Sequence, residues 1–176
     1  MTVTMPNARP DATEYAPFYA GYVALVPEAD VVSALRDSGR EIAAALATIP
    51  ESRGGFRYAE GKWSIRELVG HVIDAERIFT YRALRLARAD STPLPAFEEN
   101  DYVRSAGSDA RTMADLVAEL RAVRESTVHM FGSFPDEAWT RRGTVSGREI
   151  SVRALASITA GHARHHLNML RERYGI

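Results

Sequence analysis

Gly161-His162-Ala163-Arg164-His165-His166 lies inside a helical pattern that opens at Ser151 and reaches Tyr174, just before Gly175. Three of the chain's five histidines fall in this run. Each residue of a helix turns about 100°, so His162 and His166 stand about 40° apart and one turn up the same face. Leu155, Ile158 and Met169 lie within about 40° of His162, which turns this face toward a protein interior. His165 is rotated about 60° the other way and falls at the edge of the stripe, so His162 and His166 form the inward pair.

Working outward, three more long helical patterns precede this one. The clearest carries a capping box, Ser64 with Glu67, and staple positions at Trp63 and Leu68. It continues through His71, Val72, Ala75, Ile78, Phe79 and Leu86 to about Ala89, where Asp90-Ser91-Thr92-Pro93 and Pro95 stop it. An earlier helix starts at Asp30 as N-cap and runs through Val31, Leu35, Ile42 and Leu46 to Pro50. A later one spans about Thr112 to Phe131 with Leu116, Leu120 and Val123 inward. Nothing reads as a sheet. The expected architecture is all-α, a four-helix bundle with long connecting loops, Pro93 to Gly107 and Gly132 to Ile150, which exceed what bundle turns need. Tyr15, Phe18, Tyr19 and Tyr22 make a short N-terminal aromatic segment closed by Pro27, read as a lid packed on the bundle, with substrate contact as the other reading.

Composition narrows the function classes. At 176 residues, with 45% hydrophobic and 26% charged residues, the chain fits one globular domain over residues 1–176. Twenty-two basic residues balance 23 acidic ones, so no overall field gathers nucleic acid or anionic lipid. No apolar run has the roughly 20 residues of a spanning helix, and Met1-Thr2-Val3-Thr4-Met5-Pro6 lacks the features of a secretion signal. The expectation is a cytoplasmic protein with a small-molecule substrate, no nucleic-acid partner and no membrane. Cysteine is absent, which removes disulfides, thiolate ligands and a cysteine nucleophile; any thiol must come from outside the chain. Arg77, Arg82, Arg85 and Arg88, with Asp74, Glu76 and Asp90 close by, read as a solvated ion-paired face rather than an anion-binding strip.

A buried imidazole pair needs either hydrogen-bond partners or a metal. With His71 from the second helix, the simplest metal reading is one ion held from two helices; His71 alone also reads as a core or rim histidine. Three nitrogen ligands leave a coordination position for water or substrate, as catalytic divalent sites do. Zinc and nickel both suit imidazole. Asp74 and Glu76 are candidate acceptors for the outer ring nitrogens, and His129 belongs to the surface or core of the third helix. Other chemistries fail on spacing. Ala163 occupies the glutamate place of the zincin pattern, and no histidine has a glutamate three residues before it as di-iron bundles require. Gly55 to Gly61-Lys62 is one residue too long for a phosphate loop, and Gly143-Thr144-Val145-Ser146-Gly147 does not place serine midway between glycines as a nucleophile elbow does.

Gly61-Lys62-Trp63-Ser64-Ile65-Arg66-Glu67-Leu68-Val69-Gly70-His71, the following Asp74-Ala75-Glu76-Arg77, and Ala160-Gly161-His162 through His166 together resemble the DinB-like superfamily, also called the YfiT-like metal-dependent hydrolases. The resemblance spans about Tyr15 to Tyr174. It implies a four-helix bundle, a homodimer, and a histidine triad for a divalent ion that falls on His71, His162 and His166, with His165 as the departure from the pattern. Some relatives transfer low-molecular-weight thiols such as bacillithiol or mycothiol to electrophiles, and others are isomerases. The function expected is therefore a metal-dependent hydrolase or thiol transferase that activates water or a small thiol. Glu98, Glu99 and Asp101 are candidate general bases and Tyr102 a candidate substrate contact, unless this stretch is only a polar loop. The competing class is a non-catalytic helical interaction or stress-response protein whose metal only stabilises the bundle.

Overall fold

The computed structural model describes residues 5–176, so Met1 to Thr4 of the N-terminal segment Met1–Pro6 lie outside it. Among the described residues the α-helices are α1 (Ala20–Ala24), α2 (Val31–Ala47), α3 (Ile65–Ala87), α4 (Glu99–Ala106), α5 (Met113–Gly132) and α6 (Val152–Tyr174), with strands β1 (Arg142–Val145) and β2 (Arg148–Ser151). Each long helix begins where a side-chain oxygen takes an otherwise unpaired backbone N–H. Asp30 accepts from Val32, Ser64 from Glu67, Thr112 from Asp115 and Ser151 from Ala154.

At Ser64 the box is reciprocal, because Glu67 Oε2 accepts from the Ser64 N–H at 2.8 Å. The buried Ser64 hydroxyl also donates to Asp109 at 2.5 Å. Arg57 reaches both Glu67 and Asp109, which welds the start of α3 to the turn before α5. Ser64→Ala therefore removes a cap and a tertiary hydrogen bond together, and should cost about 1–2 kcal/mol in urea unfolding.

The four long helices form the bundle. α6 packs against both α2 and α3, and α5 packs against the same two. α2 thus stands diagonally across from α3, and α5 from α6, so the connections 48–64 and 133–151 carry the chain across, whereas 88–112 joins the neighbours α3 and α5. The apolar core is divided. One half is built on Ala75, Phe79, Ala83 and Leu86 of α3 with Val152 to Ala160 of α6. The other uses Ile65 to Ile73 of α3 with Ala163, Leu167 and Leu170 of α6. His71, His162 and His166 lie at the level between them.

Two pieces of the connections are ordered where a loop was expected. Residues 99–106 form α4, capped by the Glu98 side chain on Asn100 N–H and ended by Gly107 in the left-handed region. Residues 142–151 form a hairpin with Val145 paired to Arg148, closed by Ser146 (φ 52°) and Gly147 (φ 74°). Two successive positive φ values give the turn that matches strand twist. Leu94 bridges this hairpin, its N–H donating to Thr144 and its carbonyl accepting from Ser146, both at 2.9 Å. That contact fixes Pro95 to Phe97 above α3.

The aromatic segment packs on the bundle, with Tyr15, Tyr19 and Tyr22 against the core. α1 can lie flush on α6 because position 161 is glycine. A Cβ there would come within 2.0 Å of the Tyr22 carbonyl oxygen. Among the described residues no helix is long and apolar enough to cross a membrane.

Candidate metal centre

His71 projects from the second turn of α3, while His162 and His166 project from successive turns of α6. The diagonal arrangement makes α3 and α6 neighbours and brings the three rings together. His162 Nε2 lies 3.1 Å from His71 Nε2 and 3.1 Å from His166 Nε2. All three side chains are buried, at 4–5% exposure. Tetrahedral ligands at about 2.0–2.1 Å from an ion stand about 3.3 Å apart, close to the two 3.1 Å spacings, so His162 and either neighbour are spaced as ligands of one divalent ion. Oxygen-preferring ions are poorly matched by three imidazoles. The residues His71, His162 and His166 also form a potential three-ligand group with ligand atoms within 4.8 Å of one another.

The surroundings hold the rings in place. Trp63 lies against His71 with ring centres 4.7 Å apart, and Phe79 and Tyr22 meet His162 edge-on at 5.5 and 5.4 Å. His165 is outside the convergence, half-buried between Tyr22 and His166. Both 3.1 Å contacts end on the one Nε2 of His162, which carries either one proton or one lone pair, so hydrogen bonding within the cluster fully satisfies only one of them at a time. His166 Nδ1 is a buried nitrogen with no partner.

Burial disfavours the charged imidazolium. It pushes His71 down to about 4, and it drives His162 and His166 well below the ordinary histidine value, each further opposed by its neighbours. The rings are thus neutral at physiological pH, the form that donates a lone pair to a metal. In the metal-free protein the sign is fixed. Below about pH 6.5 the unfolded chain binds protons that the folded chain refuses, so stability falls as the pH drops from about 6.5 toward 4. For His71 the effect is on the order of 3 kcal/mol. Chelated wild type should show this loss in denaturation curves, and His71→Gln a shallower slope through the same window.

Two cavities reach the cluster. One, of about 230 Å³, is bordered by Tyr19, Tyr22, Phe79, Arg82, Glu98 and His162. The other, of about 270 Å³, is bordered by Tyr58, Trp63, Glu99, His165 and His166. His71, Tyr22 and Glu99 belong to both. The aromatic segment is therefore a lid and a cavity wall at once, with Phe18 79% exposed at the rim.

The remaining expected residues fall in different places. Glu98 lines the first cavity but also caps α4, accepting from Asn100 N–H at 3.2 Å. Asp101 pairs with Arg104 on the surface and borders neither cavity. Tyr102 is exposed and rests edge-on against Phe97. His129 is a surface residue of the last turn of α5.

The second-layer acceptors require correction. Glu76 is taken by Arg124, through two bonds of 2.8 Å, and Asp74 lies 4.0 Å from Arg77; neither bonds a histidine. The arginine face is corrected at one position. Arg77 pairs with Glu119 and Arg85 with Asp90 as an ion-paired surface, but Arg82 is buried at 4% exposure and lines the first cavity. Its signal was in the sequence, since Arg82 follows Phe79 by three and precedes Leu86 by four, on the apolar stripe.

A diagonal helical bundle with a histidine triad between α3 and α6 defines a class, and the chain belongs to the DinB superfamily, whose family model matches residues 34–170. Among curated proteins it is similar to putative metal-dependent hydrolase OB0413 of Oceanobacillus iheyensis, at 29% identity over 62% of this chain and 64% of that protein. The chain thus spans somewhat under two thirds of that relative's length. Among solved structures it shares its fold with YfiT from Bacillus subtilis, described as a probable metal-dependent hydrolase with an unusual four-helix bundle topology. That match has a TM-score of 0.72 at 16% identity and covers 82% of this chain and 86% of the other. A mycothiol-dependent maleylpyruvate isomerase matches with a TM-score of 0.66 at 14% identity, over 78% of this chain and 58% of that one.

Proposed function

We propose that the chain is a metal-dependent enzyme in which His71, His162 and His166 hold one zinc or nickel ion and the nucleophile is water or a low-molecular-weight thiol. The convergence of three buried, neutral Nε2 atoms at 3.1 Å contacts carries this reading. The names of the relatives support it, both for metal-dependent hydrolysis and for a thiol cofactor. When bound, the ion supplies Lewis acidity that brings the pKa of a water or thiol ligand toward neutrality. Burial keeps the imidazoles neutral, so each ring has a lone pair on one nitrogen that it can present to an ion. Phe79, Tyr19 and Tyr22 line an approach to the cluster. In this reading Glu99, which borders both cavities, or Glu98 takes up the released proton, since Asp101 is paired with Arg104. The substrate is a small molecule on the scale of the two cavities.

The non-catalytic reading, an ion that only ties α3 to α6, is disfavoured by the two cavities that open onto the same histidines. The test is consumption of a small thiol in the presence of an electrophile such as monobromobimane, run beside a panel of activated esters, on metal-loaded and chelated protein. Turnover that disappears on chelation and returns with zinc or nickel is the expected result. Silence across both panels with the triad fully loaded contradicts the enzymatic reading.

A further inference from the structure

Arg82 stands out in the first cavity because it is the buried cation that lacks an acid. Among the described residues two arginines are buried, and the other, Arg124, is neutralised by Glu76. Arg82 donates through Nη2 to the Pro95 carbonyl at 2.7 Å, and its guanidinium lies 5.6 Å from the centre of the Phe97 ring. No carboxylate of the described residues comes within ion-pair distance of it, although Glu98 and Glu99 border the same cavity. A buried guanidinium is costly unless an anion compensates it, and its planar fork suits a carboxylate. The bond to Pro95 fixes the fork, and the Leu94 bridge to the hairpin fixes Pro95 in turn. Arg82 lies three turns along α3 from His71, about 16 Å of helix rise, and both border this cavity together with His162 and the aromatic side chains of Tyr19, Tyr22 and Phe79.

We propose that Arg82 anchors a carboxylate on the substrate, so that this protein acts on small organic acids with an apolar or unsaturated body whose far end faces the histidine cluster. The proposal rests on the metal-site reading only for which end of the substrate reacts. Glu98 and Glu99 at the border disfavour a second anionic group there, which selects monocarboxylates, or acids whose other end is neutral or cationic.

The probes are 4-fluorobenzoate and its neutral counterpart 4-fluorobenzamide, titrated by fluorine NMR into metal-loaded and chelated protein. Wild type should prefer the benzoate by at least about tenfold in both states. Arg82→Gln should abolish that preference while leaving benzamide binding unchanged, and Arg82→Lys should restore part of it. Equal binding of the two probes by wild type overturns the proposal without any variant, so the outcome does not depend on how Arg82→Gln folds. A preference confined to loaded protein and insensitive to Arg82→Gln assigns the carboxylate to the ion and also overturns it. An Arg82-dependent preference in a protein whose triad takes up no metal upholds the anchor while rejecting the metal-centre reading.

Discussion

His162→Ala should empty the metal centre. His162 is the hub of the cluster, since its Nε2 is the atom that both other rings approach at 3.1 Å. Removing it leaves two ligands, one on each helix, without the nitrogen between them. Loss of a group that merely orients a ligand costs about 10–100-fold in affinity, so loss of the central ligand should exceed about 100-fold. Zinc or nickel in the purified variant should fall to background by plasma mass spectrometry, with helical content by circular dichroism retained. His71→Ala should behave alike. His165→Ala is the internal control, because that ring lies outside the convergence against Tyr22, and its metal content should match wild type. Loss of metal in His165→Ala with retention in His162→Ala would move the centre one step around α6.

The second large effect is on stability and comes from the Glu76–Arg124 pair. Both side chains are buried, at 2% and 6% exposure, and they meet through two parallel 2.8 Å bonds that tie α3 to α5. Arg124 also donates at 2.7 Å to Ser38 Oγ and to the Leu35 carbonyl, so α2 joins the same node. Its stem runs directly beneath Gly39, where a Cβ would meet Arg124 Cγ at 2.5 Å. Glu76→Gln leaves the guanidinium buried without its anion, a loss of about 3–5 kcal/mol. For a domain of this size, that lowers the melting temperature by roughly 10 °C. Replacing both partners with apolar residues, Glu76→Leu with Arg124→Met, should cost less than Glu76→Gln alone, since no charge is then stranded. The exposed Arg40–Asp37 pair offers the contrast, and Asp37→Ala should change stability by no more than about 1 kcal/mol. Equal losses at the two sites would mean that burial is not what gives the Glu76 pair its weight.

What could be read from the sequence follows how local each signal is. The start of α3 was legible because Ser64 and Glu67 complete each other within four residues, and the inward pair on α6 followed from helix geometry alone. The end of α3 came two residues earlier than Asp90-Ser91-Thr92-Pro93 suggested, since Ala89 already turns to φ 59°. The hairpin went unread because its strands are four residues each and bury little; its one local mark was Ser146-Gly147. α4 was hidden for a similar reason, as eight residues with a single buried side chain, Val103, leave no periodicity to detect. The diagonal order of the helices, the partner of Glu76 and the isolation of Arg82 all depend on contacts between distant segments. No spacing within one helix encodes them. The triad was half legible, with His162 and His166 paired by their own spacing, while His71 on its amphipathic helix read as either a third ligand or a core histidine until the resemblance favoured the ligand.

The most direct test of the centre is anomalous diffraction from crystals of the zinc- or nickel-loaded protein, collected at the edge of the metal supplied. One peak about 2.0–2.1 Å from the Nε2 atoms of His71, His162 and His166 is the predicted result. A peak elsewhere, or none at the triad with His71 and His166 still 3.1 Å from His162, contradicts it.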